Sequence, residues 1–371
     1  MASRDKWGST KERTEILCKA KNAGKKIALY FADSPNNAPF RYRCYNVFQA
    51  TQKSSKWQAV FFFEREVDEF KKFIPNVDLL IIERQTVKNG TVLKLIKEAR
   101  KNHKKVLFSV DDLVFSLQYL PILLKTINCK NFIYWGAYIA SLAEVAKRTD
   151  GFITTNGYIG NLLTKKFRKD YRVIRNSLND EQLGVKDISK NPNKFIIGYF
   201  SGSPTHEKDL GLIAPEIVKF LKNHNDTYFE IVGYMKLPKI FNTLSKKRII
   251  IKPPVDYLKL QKLISEVQIN LAPLQENDFS NCKSELKFFE AAAVATTTIA
   301  YPTYAFKNSI QHGETGFLCQ PGEWYDALEY LYAHPEENVR IAKNAKKYCL
   351  KHYYGEEFLK EIEDAYDFFA K

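Results

Sequence analysis

Short apolar runs alternate with stretches of helical periodicity along nearly the whole chain, and the alternation occurs in two series. The first opens at Lys26–Ala32 (KIALYFA) and continues at Trp57–Phe63, Val77–Glu83, Lys105–Val110, Gly151–Thr155 and Tyr171–Arg175. Helical patterns lie between them, including Val92–Lys101, Tyr134–Ala146 and Tyr158–Lys166. Runs this short, apolar throughout and separated by helices, are strands of a parallel sheet covered on both faces. The segment Asn176–Pro192 is polar and without periodicity, and reads as a linker. The second series starts at Phe195–Phe200 (FIIGYF) and adds Tyr228–Val232, Ile249–Lys252, Val267–Leu274 and Thr297–Ala300. Its first helix, Glu207–Lys222, puts Leu210, Ile213, Ala214, Ile217, Val218 and Leu221 on one face. From about Glu336 the tail is helical, with a break at Tyr353–Gly355. At 371 residues the chain needs two cores.

Charge is divided unevenly between the two series. Residues 1–178 carry 33 Lys and Arg against 16 Asp and Glu, a surplus of 17, and the remainder carries 24 against 26. Such a surplus is either a solvated lysine-rich surface or an attraction to an anionic partner, such as a lipid headgroup surface, a diphospholipid or a nucleic acid. No zinc-finger spacing, basic heptad helix or aromatic RNA-binding signature supports nucleic acid. The six cysteines form no CxxC pair, which argues against a disulfide framework or a zinc site and for a reducing compartment. No run approaches a membrane span, and the first residues lack the apolar core of a signal peptide. The expectation is a cytoplasmic protein.

Two strand-to-helix loops carry candidate chemistry. In Ile269–Ala300 a strand breaks into the polar stretch Gln275–Lys283, after which Ser284 can cap a helix. Free N–H groups and the helix dipole favour an anion there, and Lys283 and Lys287 add mobile positive charge. Glu290 can reach diol hydroxyls, as the acidic residue of a dinucleotide site does. Phosphate and ribose together point to a nucleotide, and here to a nucleotide-sugar. The other loop, Ser201–Asp209, follows FIIGYF. In it Gly202 permits close backbone approach, Ser201 and Ser203 offer hydroxyls, and Lys208 supplies a charge. Taken alone, this loop is better explained as an ordinary capped turn. Ligands of doubly wound sheets lie beyond the carboxyl ends of the strands, where both loops fall.

In order, Ile196–Leu210 (IIGYFSGSPTHEKDL), Ile269–Leu274 (INLAPL), Lys283–Ala300 (KSELKFFEAAAVATTTIA) and His312–Cys319 (HGETGFLC) resemble the donor-binding domain of retaining GT-B glycosyltransferases of family 4. Val173–Asn179 (VIRNSLN) resembles that family's exit into its interdomain linker. Phe40–Asn46 (FRYRCYN) and Val106–Phe115 (VLFSVDDLVF) resemble a subset that builds bacterial surface polysaccharides. The resemblance implies an α/β, GT-B fold: two Rossmann-like doubly wound domains facing across a cleft, with a C-terminal helix crossing back to the first. The boundaries expected are a helical extension over 1–24, an acceptor domain over 25–178, a donor domain over 179–350 and the returning helix over 351–371. It further implies that Glu290, the second glutamate of the family's E-x7-E motif, binds the donor ribose, and that Lys208 contacts the diphosphate. His206 is placed on the donor loop, where it bonds either sugar or phosphate, or else local backbone. Gly313, Thr315 and Gly316 match a structural turn. Cys282 stands where the family's sugar-contacting first glutamate falls, and Glu285 or the Asn281–Ser284 backbone is the candidate replacement.

Three further groups lie at strand ends of the first series. Arg41 and Arg43, expected in the loop after the first strand, suit a diphosphate or carboxylate, or serve structural ion pairs. Asp111 and Asp112 either orient or deprotonate an acceptor hydroxyl, or cap the following helix. Asn156 is a candidate pocket residue. No DxD tripeptide occurs, so neither a metal nor another cofactor is expected. The reading is a metal-independent glycosyltransferase, retaining by resemblance, with a nucleotide-sugar donor and a glycan or lipid-linked glycan acceptor. Peripheral contact with an anionic inner membrane face is admitted, and nucleic acid is not expected as a partner. A nucleotide-sugar 2-epimerase and a non-catalytic nucleotide-sugar- or glycan-binding subunit are the alternatives.

Overall fold

The computed structural model describes residues 7–35, 38–87, 90–186, 190–191, 193–201 and 207–371. The chain divides into two compact units. The first comprises residues up to Pro121, Asn131–Asn179 and Tyr353–Lys371; the second comprises Ile122–Lys130 and Asp180–His352.

The first unit holds six parallel strands: β1 (Lys26–Ala32), β2 (Trp57–Phe63), β3 (Leu79–Glu83), β4 (Lys105–Val110), β5 (Gly151–Thr154) and β6 (Tyr171–Val173). Their order is β2-β1-β3-β4-β5-β6. Every residue of β2 and β3 is buried, as is all of β1 beyond Lys26, which is why these strands read as continuous apolar runs. The amino-terminal helix, Thr10–Asn22, starts at a reciprocal cap between Ser9 and Glu12 and lays Arg13, Leu17 and Ala20 inward.

The helix Glu356–Phe369 also belongs to this unit, burying Phe358, Ile362, Ala365, Tyr366 and Phe369. Tyr366 and Tyr30 share a hydroxyl–hydroxyl bond of 2.7 Å, the Trp57 indole donates to Asp367 at 2.9 Å, and Arg175 pairs with Glu361 at 2.8 Å. The end of the chain thus completes the core begun at its start.

The second unit holds β7 (Phe195–Ser201), β8 (Thr227–Gly233), β9 (Ile249–Lys252), β10 (Ile269–Ala272), β11 (Thr297–Ala300) and β12 (Phe317–Leu318), in the order β12-β11-β10-β7-β8-β9. All six apolar positions expected on one face of the helix Glu207–Asn223 are buried. β9, expected as a covered strand, is an edge strand with Ile251 62% exposed. Its lysine, Lys252, bonds Glu230 of β8 at 2.8 Å.

Several local expectations are corrected. Residues 122–130 pack with the second unit rather than the first, because Lys208 Nζ donates to Lys125 O at 2.7 Å and Asn277 Nδ2 to Thr126 Oγ1 at 3.3 Å. The loop expected around Arg41 and Arg43 is helical from Ala38 to Gln52, with a π-turn at Arg41–Tyr45. Ser284 does not cap the helix after β10. That helix runs Leu286–Ala293 with Glu285 at its cap position, and a separate short helix, Asp278–Asn281, is capped by Asn277.

Candidate functional site

In the second sheet β7 is flanked by β8 on one side and β10 on the other, so the chain winds outward in two directions from the β7–β10 seam. Loops leaving such a switch point diverge and open a crevice at the carboxyl ends of the strands. Both loops singled out in the sequence leave from this seam: one after Ser201, which is buried at the end of β7, the other after β10. Gly202, Ser203 and His206 lie outside the described residues.

Helix Leu286–Ala293 brings Lys287 and Glu290 to the seam on one face, three residues apart. The Lys287 ammonium donates to the carbonyl of Phe200 and sits 5.3 Å from the Tyr199 ring centroid. Burial pulls its pKa down to about 8 against the opposing pull of Glu290 and Asp209. Glu290 is 5% exposed, and its Oε1 accepts from Gln182 Nε2 at 3.4 Å. Gln261 donates to the Glu290 carbonyl and accepts from Gln182 at 3.3 Å, so two glutamines hold the glutamate's helix turn.

Asp209, in the first turn of its helix, accepts from the Gln275 backbone at 3.2 Å and from its side chain at 2.9 Å. One buried carboxylate therefore ties the loop after β10 to the helix that follows β7. Lys208 is exposed, with its ammonium on Lys125 O. Lys283 lies 4.7 Å from the Phe279 ring centroid, Glu285 is buried at the helix start, and Ser284 is half-buried beside it. Cys282 is fully buried and closes the short helix, packing as a small apolar group where a carboxylate would need partners.

The first unit has its own charged cluster at the carboxyl ends of β3 and β4. Arg84 bonds Asp111 at 2.8 Å, Asp112 at 2.9 Å and the Tyr138 hydroxyl at 3.2 Å. Neither aspartate is the cap of a regular helix: the next element is the short turn Leu117–Tyr119. Burial raises Asp111, with Arg84 opposing, and raises the neighbouring Glu83 to about 8.

Arg43 is corrected from an acceptor-side loop residue to a core residue. It is 1% exposed, and its guanidinium donates to Ile174 O, to Ser109 Oγ at 3.3 Å and to Asn176 Oδ1 at 3.4 Å. Arg41 Nη2 donates to the Tyr42 hydroxyl at 2.7 Å and stacks on that ring. Asn156, expected in a pocket, caps the helix Gly157–Phe167 by accepting from Tyr158 N at 2.9 Å and Ile159 N at 3.2 Å. The residues that sequence reasoning missed are Arg84, Glu83, Asp209, Gln182 and Gln261.

Solved structures match over most of the chain. The HepE protein of Anabaena, in complex with UDP and glucose, has a TM-score of 0.61 at 13% identity, covering 91% of this chain and 98% of its own. A glycosyltransferase from Rickettsia africae scores 0.64 at 13% identity over 94% and 99%. The sucrose-phosphate synthase of Thermosynechococcus elongatus scores 0.61 at 14% over 92% and 98%. No curated protein sequence matches the chain. Two parallel α/β units with these neighbours define the GT-B fold.

Residues 194–334, which contain both loops and the Lys287–Glu290 face, match the family described as Glycosyl transferases group 1. The second unit carries a domain of that family, and the chain is a glycosyltransferase.

Proposed function

We propose that the β7–β10 seam binds a nucleoside-diphosphate sugar and that the chain transfers the sugar to a hydroxyl of a carbohydrate acceptor. The observation that carries this reading is Lys287 and Glu290 on one helix face at the switch point, one a cation of lowered pKa and the other a buried carboxylate. Lys287 and Lys208 meet the diphosphate, and Glu290 accepts from the ribose diol. That HepE was solved with UDP and glucose makes uridine nucleotides the first probes.

In the reaction the bond from the sugar's anomeric carbon to the diphosphate oxygen breaks. A bond from that carbon to the acceptor oxygen forms on the same face, and the acceptor proton passes to the departing phosphate. Configuration is retained. Charge building on the diphosphate is met by the lysines and by the N–H groups opening the two helices, a stabilisation that needs no divalent metal. The product belongs to a surface polysaccharide or a related glycoconjugate.

Titration of Lys287 tests the donor site. A lysine whose folded pKa is near 8 loses its charge between about pH 7 and 9, so nucleotide affinity falls through that window. Isothermal titration with UDP should show the fall in the wild type and a flat profile in Lys287→Arg, whose charge persists. A wild-type affinity that is level from pH 7 to 9.5 contradicts the assignment.

Among the described residues, no helix is long and apolar enough to cross a membrane. The helix Phe132–Arg148 nevertheless leaves Phe132, Ile133 and Tyr134 exposed at 61%, 84% and 58%. With the basic surplus of the first half, these fit a peripheral contact with anionic lipid. Flotation with phosphatidylglycerol vesicles, lost in Phe132→Ser/Ile133→Ser, is the expected result; no flotation of the wild type refutes it.

A further inference from the structure

The amino-terminal edge of the second sheet, opposite the edge from which the donor loops leave, carries a hollow that glycosyl transfer does not use. Its volume is about 590 Å³, in the range of small-molecule sites, and its described lining belongs wholly to the second unit. Phe195 opens β7, Gln268 precedes β10 and Ala295 precedes β11. The three strands run parallel, so the hollow lies where they begin. The four residues of β10 alone put about 13 Å between this edge and the seam's loops.

One wall is the helix Pro335–Tyr353. Its lining residues Pro335, Asn338, Val339, Ala342 and Lys343 have the spacing of a single helix face. Thr297 Oγ1 donates to the Asn338 carbonyl at 3.0 Å, which ties that face to the start of β11. Lys190 and Lys194 come from the segment leading into β7. Lys190 Nζ donates to Ala295 O at 3.0 Å, and Lys194 Nζ lies 4.9 Å from the Tyr228 ring centroid. Lys194 and Lys343 are exposed, and neither has a carboxylate partner among the described residues. Asp226, the one acidic group in the described lining, accepts from the Tyr332 hydroxyl at 2.8 Å. Three ammonium groups thus stand against one carboxylate, in a half of the chain whose charges otherwise nearly balance.

A second observation points to a ligand with more than a negative charge. Asn338, in the middle of that helix face, is 7% exposed, and its Oδ1 accepts no hydrogen bond among the described residues. Buried polar atoms are rarely left so. The other amides of the lining have engaged oxygens: Gln268 Oε1 accepts from Ile196 N at 2.7 Å and Asn191 Oδ1 from Asn193 N at 2.9 Å. The Asn338 oxygen takes a donor, which a hydroxyl supplies and an ionised phosphate oxygen does not. Phe195, Val339 and Ala342 give the lining an apolar part that suits the C–H face of a sugar ring.

We propose that this hollow is a second binding site, separate from the donor seam, for a sugar phosphate. Lys194 and Lys343, with Lys190 beside them, meet the phosphate, and Asn338 accepts from a ring hydroxyl. The site does not depend on the glycosyltransfer reading.

Calorimetry on the full chain with glucose 6-phosphate, glucose 1-phosphate and N-acetylglucosamine 1-phosphate, beside glucose and inorganic phosphate, tests it. At least one sugar phosphate should bind tenfold or more tightly than either glucose or inorganic phosphate. Lys194→Glu/Lys343→Glu, which alters exposed side chains only, should weaken that sugar phosphate at least tenfold and leave UDP affinity within twofold. Asn338→Ala should weaken it about fivefold and leave inorganic phosphate unchanged. Glu290→Ala should leave it within twofold, which separates the hollow from the seam.

A panel in which no sugar phosphate binds more tightly than inorganic phosphate overturns the proposal, as does a sugar phosphate whose affinity survives the double charge reversal. A loss in Glu290→Ala that the reversal does not reproduce puts the sugar phosphate in the donor seam and overturns it equally. Failure to bind UDP bears on the transfer reading and leaves this site standing.

Discussion

Glu290→Ala should weaken nucleotide-sugar binding by roughly 100-fold, about 2.7 kcal/mol, the worth of a pair of hydrogen bonds from a ribose diol to a carboxylate. The effect should be this large because the carboxylate is buried and held. Gln182 bonds its Oε1, and Gln261 fixes the carbonyl of the same residue. The backbone contact from Gln261 survives the substitution, so the helix turn should persist and the loss should fall on the ligand. Glu290→Gln keeps the shape and one acceptor, and should lose about tenfold. Calorimetry with UDP and with UDP-sugars separates the cases. Equal losses for uridine diphosphate and for inorganic pyrophosphate would mean that Glu290 does not read the ribose.

The second large effect concerns the end of the chain. Cutting the protein after Gly355 removes the helix that buries Phe358, Ile362, Tyr366 and Phe369 in the first unit. At about 1.5–3 kcal/mol for each large side chain, the loss of roughly 6–12 kcal/mol is comparable to the whole stability of a domain. Trp57 and Tyr30 would lose their partners on Asp367 and Tyr366 in the same stroke. The truncated chain should show early proteolytic cleavage within residues 10–175, while the second unit, whose residues end at His352, persists as a resistant fragment. A truncated chain as resistant as the full one would show that this helix is an accessory rather than part of the core. Ile362→Ala should destabilise by about 2–5 kcal/mol and serves as the milder version.

The parallel sheets were legible because strands covered on both faces must be apolar throughout; β1, β2 and β4 agree with their sequence limits residue for residue. The buried face of the helix after β7 was legible for the same reason. Side chains whose roles depend on sheet neighbours were not. Arg84 meets Asp111 and Asp112 only because β3 lies beside β4, and two charged pairs closing consecutive strands were the available signal. Gln182 sits in a segment that reads as linker, and nothing local marks it as buried against Glu290. Arg43 was misplaced because its run, with Pro and Asn before it, reads as loop. The aromatic packing of Phe40 against Trp7, Phe61 and Phe63 holds that segment helical instead. Cys282 was visible in the sequence as a departure; it is completely buried, where a carboxylate would need a partner.

In the proposed reaction the β7–β10 seam holds a nucleoside-diphosphate sugar whose sugar is then transferred. Incubating the wild type and Glu290→Ala with a nucleotide-sugar panel and a mixture of neutral sugar acceptors, and measuring nucleoside diphosphate release together with the new glycoside by mass spectrometry, tests it directly. The expected result is stoichiometric release and glycoside formation for one donor, reduced by about two orders of magnitude in the variant at sub-saturating donor. Release and glycoside formation that are equal in both proteins, or absent from both across the panel, would contradict it.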